Sequence, residues 1–203
     1  MRIVHVIARF NQGGTAGWLS ELIEGQRREG NEVYLLSGKV EANEREDSRF
    51  ADLGGIHIQG LSRPISLIQD IIAFGALRKK LISINPDIIN THTAKAGLIG
   101  RLAILSIDKK NTGVVHTFHG HHLYDPEFGS VKRGVLNVIE KRLAGKADAI
   151  VTIGENVKRE LLAVGIGKAS QYVSIAPGID GVKLSSKAKV LKALDLGKEK
   201  RPI

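Results

Sequence analysis

The sequence predicts an α/β protein in which a parallel sheet carries helices on both faces. Short apolar runs alternate about seven times with longer segments whose apolar residues recur near a helical period. Glycine or polar residues separate the two kinds of segment at most junctions. This alternation is typical of strand–helix–strand units, in which each helix returns the chain so that consecutive strands run parallel.

Seven strands are expected, each a short apolar run between polar or glycine-containing segments. They cover residues 3–8, 32–37, 56–58, 87–92, 114–118, 148–153 and 172–175. The first run is apolar throughout except for His5, and such a run suits a parallel strand that is covered on both faces. The expected sheet is therefore Rossmann-like.

Five helices are expected between these strands. They cover residues 18–28, 65–82, 94–107, 131–143 and 155–164. In the second helix isoleucines and leucines recur near a helical period, and Pro86 ends it. The third is apolar nearly all round, which predicts a buried helix, and the fourth has a basic face.

Composition limits the classes of protein that fit. The chain has 203 residues, of which 42% are hydrophobic and 25% charged, as in an ordinary globular domain. It has no cysteine, which excludes disulfides and thiolate metal sites. No stretch has the pattern of a transmembrane helix or a signal peptide. We therefore expect a cytoplasmic protein.

The net charge of +9 indicates what kind of partner to expect. A basic surface favours phosphates or an anionic membrane. Nucleic acid is disfavoured because only 4% of the residues are aromatic and no stripe of interleaved basic and aromatic residues is present.

Two regions are expected along the chain. Residues 1–180 form the Rossmann-like domain, and residues 181–203 form a basic linker that leads to a C-terminal domain absent from this sequence. Residues 182–203 hold seven lysines or arginines against two acidic residues, which is typical of a solvated segment.

The main candidate site follows the strand at 114–118. Four of the seven histidines lie within residues 116–122, and His119 comes directly after the strand. Ligands of open parallel sheets bind beyond the carboxyl ends of the strands, where His119 can donate to a sugar hydroxyl or a carbonyl. His121 and His122 are interpreted as exposed loop residues. A zinc site is the alternative, although no carboxylate lies at the spacing of a helical zinc motif.

Gly13 and Gly14 lie between the first strand and the first helix. Glycines there let a phosphate approach the backbone, and the helix N-terminus supplies N–H groups and a partial positive charge. The dinucleotide-binding fingerprint needs glycines at i, i+2 and i+5, whereas these fall at 13, 14 and 17. A nicotinamide-dependent dehydrogenase is therefore disfavoured. A purely structural tight turn remains the alternative.

The strand at 87–92 leads into the buried helix through His92, Thr93 and Lys95. Thr93 can cap the helix. Lys95 adds positive charge at the helix N-terminus, where an anion can bind. The alternative is a capped helix with a solvated lysine.

Taken together, these motifs resemble the N-terminal, acceptor-side domain of the family 4 retaining glycosyltransferases, which have the GT-B fold. The resemblance extends over about residues 1–180. It rests on Gly13-Gly14 and on residues 91–103, 115–120, 149–161 and 176–180, in chain order. Each motif alone is weak, but the ordered set is specific.

The resemblance implies roles for individual residues. His119 would be the catalytic residue, in contact with the donor sugar near the reaction centre. The residues implied in donor binding are Gly13, Gly14, Thr15 and Gly120. Those implied in acceptor binding are His92, Lys95 and Tyr124.

The resemblance also implies an activity. Such an enzyme transfers a sugar, with retention, from a nucleotide-diphosphate sugar to a polysaccharide or lipid-linked glycan. The nucleotide-sugar is a co-substrate, and no metal or other cofactor is implied. The donor is held mainly by the C-terminal domain, so we expect the chain alone to be inactive without that domain or a companion chain. The basic helix at 131–143 is expected to contact an anionic inner membrane face peripherally.

Other functions stay open on the sequence alone. One is a non-catalytic module, either a truncated remnant or one subunit of a split enzyme. Another is an epimerase of GT-B type, which would need its own second domain and acidic groups. A generic Rossmann nucleotide binder is weakened by the failed fingerprint.

Overall fold

The computed structural model describes residues 1–107, 111–120 and 130–178, with the side chains of 130–133 left aside. Strands and helices alternate along the chain. The strands are Arg2–Ile7 (β1), Glu32–Ser37 (β2), Ile56–His57 (β3), Ile88–His92 (β4), Gly113–Phe118 (β5), Ala149–Thr152 (β6) and Tyr172–Ser174 (β7). The helices are Gly14–Arg28 (α1), Arg49–Asp52 (α2), Leu67–Ile84 (α3), Ala94–Leu105 (α4), Ser130–Ala144 (α5) and Glu155–Ala163 (α6), with a short 3₁₀ turn at Ala169–Gln171.

All seven strands pair in parallel in one sheet, in the order β3-β2-β1-β4-β5-β6-β7. This confirms the predicted α/β, Rossmann-like architecture. The strand order reverses between β1 and β4. At such a point the connections leave the sheet toward opposite faces, and a crevice opens at the carboxyl ends of the strands.

Each face of the sheet packs on its own set of helices. Val4 and Val6 of β1 belong to a core that includes residues of α3 and α4. Ile3 and Ile7, which alternate with them, belong to a second core that includes residues of α1. The alternation follows from the two-residue period of a strand. A third cluster, around Ile150, packs β6 and β7 against residues of α6.

The element boundaries differ from the predicted ones in a few places. Helix α1 begins at Gly14, four residues before the predicted start, because a glycine-rich segment gives no periodic signal. The short helix α2 was not predicted. Its Phe50 is buried and lies against the rings of Phe10 and His57, with ring centroids 5.8 Å and 4.5 Å apart.

Some predictions fall outside the described residues. These are the roles of Tyr124, His121 and His122 and the basic linker at 181–203. Among the helices of the described ranges, none combines the length and the apolar character needed to cross a membrane.

Candidate functional site

The site lies at the carboxyl ends of β1, β4 and β5. The register aligns Ile7 of β1 with His92 of β4, and His92 with Thr117 of β5, so the three strands end at about the same level. The segments after these strands contain the predicted residues. The structure therefore brings the glycine turn, the start of α4 and His119 to one edge of the sheet.

Gly13 and Gly14 leave the N-terminus of α1 open. Gly13 is the N-cap residue, and no side chain caps the helix. The first N–H groups of a helix have no partner within the helix and carry partial positive charge. A Cβ atom built at either glycine would meet no atom within 4 Å. Packing within the described chain therefore does not require glycine at either position, and the first turn of α1 is left open. Thr15, in the same first turn, is half-buried.

His119 lies one residue beyond β5 and faces α1. Its Nε2 is 3.0 Å from Nδ1 of His92. The ring meets Trp18 edge-on, with centroids 4.9 Å apart and planes at 81°. Burial lowers the pKa of His119 to about 4, so the imidazole is neutral at neutral pH. Gly120 follows with φ of 126°, a conformation that side chains rarely adopt.

His92 lies behind His119 and is fully buried. Its Nε2 is 2.9 Å from Nδ1 of His5, and the two rings stack with centroids 5.2 Å apart. Burial holds the pKa of His92 well below its usual value, and the neighbouring His5 and His119 lower it further. Both ring nitrogens of His92 face other imidazoles, so neither is left to bond an acceptor directly.

Lys95 ties the start of α4 to the start of α3. Its Nζ is 2.5 Å from Oδ1 of Asp70 and also donates to the backbone carbonyl of Pro64. The charge predicted to attract an anion is thus paired with a carboxylate in this structure. The pair places the N-termini of α3 and α4 side by side at the carboxyl edge of the sheet.

Thr93 occupies the predicted N-cap position of α4, but its side chain makes no capping hydrogen bond. Its hydroxyl is buried with no partner among the described residues. Its φ of 65° and ψ of 157° are strained for a β-branched residue, and such strain often marks a functional site.

Three residues of this region were not predicted from the sequence. Trp18 and Gln26 lie in the helix predicted at 18–28, but neither was singled out as a site residue. His5 was noted as an interruption of an apolar strand. That interruption was a usable signal, because a buried polar group requires a hydrogen-bond partner.

The site offers a particular chemistry. It presents N–H groups that can bind an anion. It also presents the one ring nitrogen of neutral His119 that is not bonded to His92, and this nitrogen can take part in one hydrogen bond. Within residues 1–107, 111–120 and 130–178, no group of three His, Cys, Asp or Glu side chains is arranged to hold a metal ion.

A known family matches most of the chain. Residues 12–181 match Glycosyltransferase Family 4. The chain belongs to this family. Over 146 residues it is 32% identical to the UDP-Gal:alpha-D-GlcNAc-diphosphoundecaprenol alpha-1,3-galactosyltransferase of Escherichia coli, a match that covers 69% of this chain and 34% of that protein.

Two solved structures show the same fold. Sucrose-phosphate synthase from Thermosynechococcus elongatus superposes with a TM-score of 0.73 at 17% identity, over 97% of this chain and 53% of that one. HepE from Anabaena, solved with UDP and glucose, superposes with a TM-score of 0.69 at 16% identity, over 96% of this chain and 50% of that one. The chain therefore spans about a third of its E. coli relative and about half of these structures. The predicted identity as an N-terminal domain of GT-B fold in this family is confirmed.

Proposed function

We propose that this domain is the acceptor-binding half of a retaining glycosyltransferase that moves a sugar from a nucleotide-sugar to a polysaccharide or lipid-linked glycan. The observation that carries the proposal is the uncapped N-terminus of α1 at Gly13 and Gly14, on the same edge as His119. The E. coli relative is named for a UDP-sugar donor and a diphosphoundecaprenol-linked acceptor, and HepE was solved with UDP and glucose.

The donor binds through its diphosphate at the first turn of α1 in this proposal. Negative charge grows on the diphosphate as it leaves the sugar, and aligned N–H groups at a helix N-terminus stabilise that charge. The backbone of Gly13, Gly14 and Thr15 supplies these groups, and Gly120 leaves room beside His119. The nucleotide-sugar is a co-substrate, and the proposal includes no resident metal or cofactor.

His119 contacts the donor sugar near the reaction centre. With its pKa at about 4, it exchanges no proton readily at neutral pH, so binding a hydroxyl is the role that suits it. We assign retention to attack on the front face of the sugar, with the leaving phosphate taking the proton of the acceptor. The acceptor lies along the starts of α3 and α4, near Lys95, with His92 behind His119.

Substitution of His119 tests this proposal in the complete two-domain enzyme. His119→Ala should lower turnover by about 10²–10³, the scale of one lost transition-state contact. His57→Ala is the matched control, because His57 lies on the outer strand β3 and is paired with Glu46 instead. Equal turnover in the two variants would remove His119 from the chemistry.

Completion by a second domain or by a companion chain is part of the proposal. The chain covers only about half of the solved structures that it matches. An immunoblot of the source cells separates the two arrangements. A band near 22.0 kDa, the mass of this chain, favours a companion chain, and a band about twice as large favours a second domain on the same polypeptide.

We place the domain at the cytoplasmic face of an anionic membrane, in peripheral contact. Leu67, Ile68 and Ile71 in the first turns of α3, and Ile65 just before it, are 63–77% exposed. Exposed apolar clusters of this kind mark interaction surfaces. They lie beside the acceptor edge, because Asp70 of the same segment pairs with Lys95.

Helix α5 adds the charge complementarity that the basic sequence predicted. Val135 and Val138 are exposed on it, and Lys141 and Arg142 are exposed in its last turn. Basic side chains near an anionic surface contribute about 1 kcal/mol each. A lipid-linked acceptor would then be held where its lipid and its glycan both reach the domain.

Vesicle flotation tests the membrane contact. The chain should float with vesicles that contain phosphatidylglycerol and less with pure phosphatidylcholine. A Leu67→Ser, Ile68→Ser, Ile71→Ser variant should stay in solution, whereas Ile82→Ser, an exposed change at the other end of α3, should float as wild type does. Failure of the wild type to bind either vesicle would end this part of the proposal.

A further inference from the structure

Three histidines form a diagonal row across the sheet. His5 of β1 is aligned with Asn90 of β4, and His92 lies two residues further along that strand. His92 is aligned in turn with Thr117 of β5, and His119 lies two residues beyond it. Because side chains alternate along a strand, each step of one strand and two residues keeps the next imidazole on the same face.

Hydrogen bonds join this row from α1 to the site. Oε1 of Gln26 is 2.8 Å from Nε2 of His5, Nδ1 of His5 is 2.9 Å from Nε2 of His92, and Nδ1 of His92 is 3.0 Å from Nε2 of His119. His5 and His92 are fully buried. We call Gln26, His5, His92 and His119 the histidine chain. Its open end is Nδ1 of His119, which has no hydrogen-bond partner among the described residues.

The protons of the histidine chain can follow only two patterns when the rings are neutral. A neutral imidazole has one N–H and one lone pair, so each ring that donates at Nε2 must accept at Nδ1. Burial lowers the pKa of His5 to about 4, with Arg27 lowering it further and Gln26 opposing, and it lowers the pKa of His92 and His119 as well. All three rings are thus neutral at neutral pH. One pattern puts every proton on Nε2, and the other puts every proton on Nδ1.

Gln26 selects between the two patterns. Its Oε1 accepts a hydrogen bond from Nε2–H of His5. Nδ1 of His5 then accepts from Nε2–H of His92, and Nδ1 of His92 accepts from Nε2–H of His119. The proton of His119 therefore points into the protein, and its lone pair at Nδ1 is left for the crevice.

We infer that Gln26, His5 and His92 are positioning residues that hold His119 as a hydrogen-bond acceptor, so that the site takes a ligand whose hydroxyl donates to Nδ1 of His119. The ligand class, a sugar hydroxyl, rests on the proposed function. The tautomer of His119 does not. It is a property of this chain, measurable without a transfer reaction.

Nitrogen NMR of the imidazoles in the ¹⁵N-labelled chain tests the inference directly, since it reports which nitrogen of each ring is protonated. In the wild type at neutral pH, the Nε2–H form of His119 should exceed the Nδ1–H form by at least about fivefold, the ratio set by one unmade buried hydrogen bond. A predominant Nδ1–H form of His119 would overturn the inference.

Substitution at Gln26 tests whether this residue sets the tautomer of His119 through the histidine chain. Gln26 is half-buried on α1, where long side chains fit. Gln26→Glu can only accept, and His119 should keep its Nε2–H form. Gln26→Lys can only donate, and it should raise the Nδ1–H form of His119 at least about fivefold, three rings away. Identical His119 signals in the two variants would show that Gln26 does not set the tautomer of His119.

A second variant separates the hydrogen-bonded chain from the intrinsic preference of an isolated imidazole. His92→Leu removes the acceptor of His119, so the two tautomers of His119 should exchange and their signals average. His57, which lies on β3 and outside the chain, is the internal control, and its signals should not change in any variant. A single, unchanged Nε2–H form of His119 in folded His92→Leu would overturn the role of the chain. A complete enzyme without transferase activity, in which His119 still has its Nε2–H form, would instead count against the proposed function alone.

Discussion

The two faces of β4 and β5 hold two clusters of buried polar side chains that differ in what they reach. The histidine chain lies on the α1 side and ends at the crevice. A second cluster, which we call the arginine cluster, contains Thr91, His116, Arg101 and Glu140 and lies on the α4 side. Thr91 and His92 are adjacent in β4, yet they belong to different clusters because successive side chains of a strand point to opposite faces.

The arginine cluster is charged and enclosed. Nη2 of Arg101 donates to both carboxylate oxygens of Glu140, at 2.9 Å and 2.7 Å, and Nε donates to the carbonyl of Gly97 at 2.7 Å. The two charged side chains are 1% and 6% exposed. The pair joins α4 to α5, and Thr91 Oγ1 lies 2.9 Å from Nδ1 of His116 in the sheet below. One cluster thus ends in a neutral ring at the edge of the sheet, and the other joins two helices.

The glycines near the two clusters also differ in how closely other atoms pack against them. A Cβ at Gly97 would lie 2.5 Å from Cε1 of His116, and one at Gly100 would lie 2.6 Å from Cγ2 of Thr91. These glycines are needed by the packing around the arginine cluster. Gly13 and Gly14, near the end of the histidine chain, meet nothing within 4 Å. Packing among the described residues does not require glycine at these two positions.

The largest effect is expected from breaking the arginine cluster. Glu140→Ala leaves Arg101 buried without its carboxylate and should lower the free energy of unfolding by about 3–5 kcal/mol, measured by urea denaturation. Glu24→Ala is the control, because Glu24 and Arg28 form an exposed pair and such pairs contribute little. Equal stability of the two variants would mean that the buried pair is not a structural link.

Acid should weaken the fold through the histidine chain. The folded-state pKa of His5 is about 4 and its ordinary value is 6.5, so between these values the unfolded chain binds a proton that the folded chain does not. The free energy of unfolding should therefore fall as pH falls through this window, by on the order of 3 kcal/mol for His5 alone. Urea denaturation across the window measures it. A flat profile would show that the buried rings take up protons in the folded chain as readily as in the unfolded chain.

A smaller effect is expected from filling the space beside His116. Gly97→Ala puts a methyl group where His116 lies and should destabilise the domain by about 1–3 kcal/mol. Gly75→Ala is the matched change in helix α3, where a Cβ meets nothing within 4 Å, and it should stabilise by about 0.5–1 kcal/mol. Thermal denaturation of the two variants measures these effects. Melting temperatures that shift in the same direction in both variants would contradict the prediction.

The smallest effect on stability is expected at the open edge. Gly14→Leu should change the free energy of unfolding by no more than about 0.5 kcal/mol, because the added side chain meets no protein atom at its Cβ. The same variant should use the nucleotide-sugar poorly in the complete enzyme, which a donor titration would measure. Loss of folding would support the structural turn as the reason for glycine.

Much of the architecture and the position of the site followed from local patterns. Apolar periodicity located the strands and helices, and polar residues at strand ends placed Gly13 and His119 at one edge. The predicted cap by Thr93 was wrong in its hydrogen bond, although the position was right. The residues behind His119 were not foreseen, because a histidine within an apolar strand does not indicate which residue it will meet.

Arg101 shows the same limit from the other face of the sheet. The helix at 94–107 was predicted to be buried because it is apolar nearly all round, and the burial of its one arginine depends on Glu140, 39 residues away in α5. A charge is buried only where a partner is supplied, and no local pattern names a partner so distant in the chain.

The sequence by itself determined the alternation of strands and helices and the edge at which polar residues gather, because both are set by residues close together in the chain. The tertiary structure alone decided that His5 and His92 stand behind His119 and that Glu140 pairs with Arg101. These side-chain contacts depend on the register of β1, β4 and β5 and on the packing of α4 against α5. Register and packing fix distances between residues that are far apart in sequence, and only the folded chain defines them.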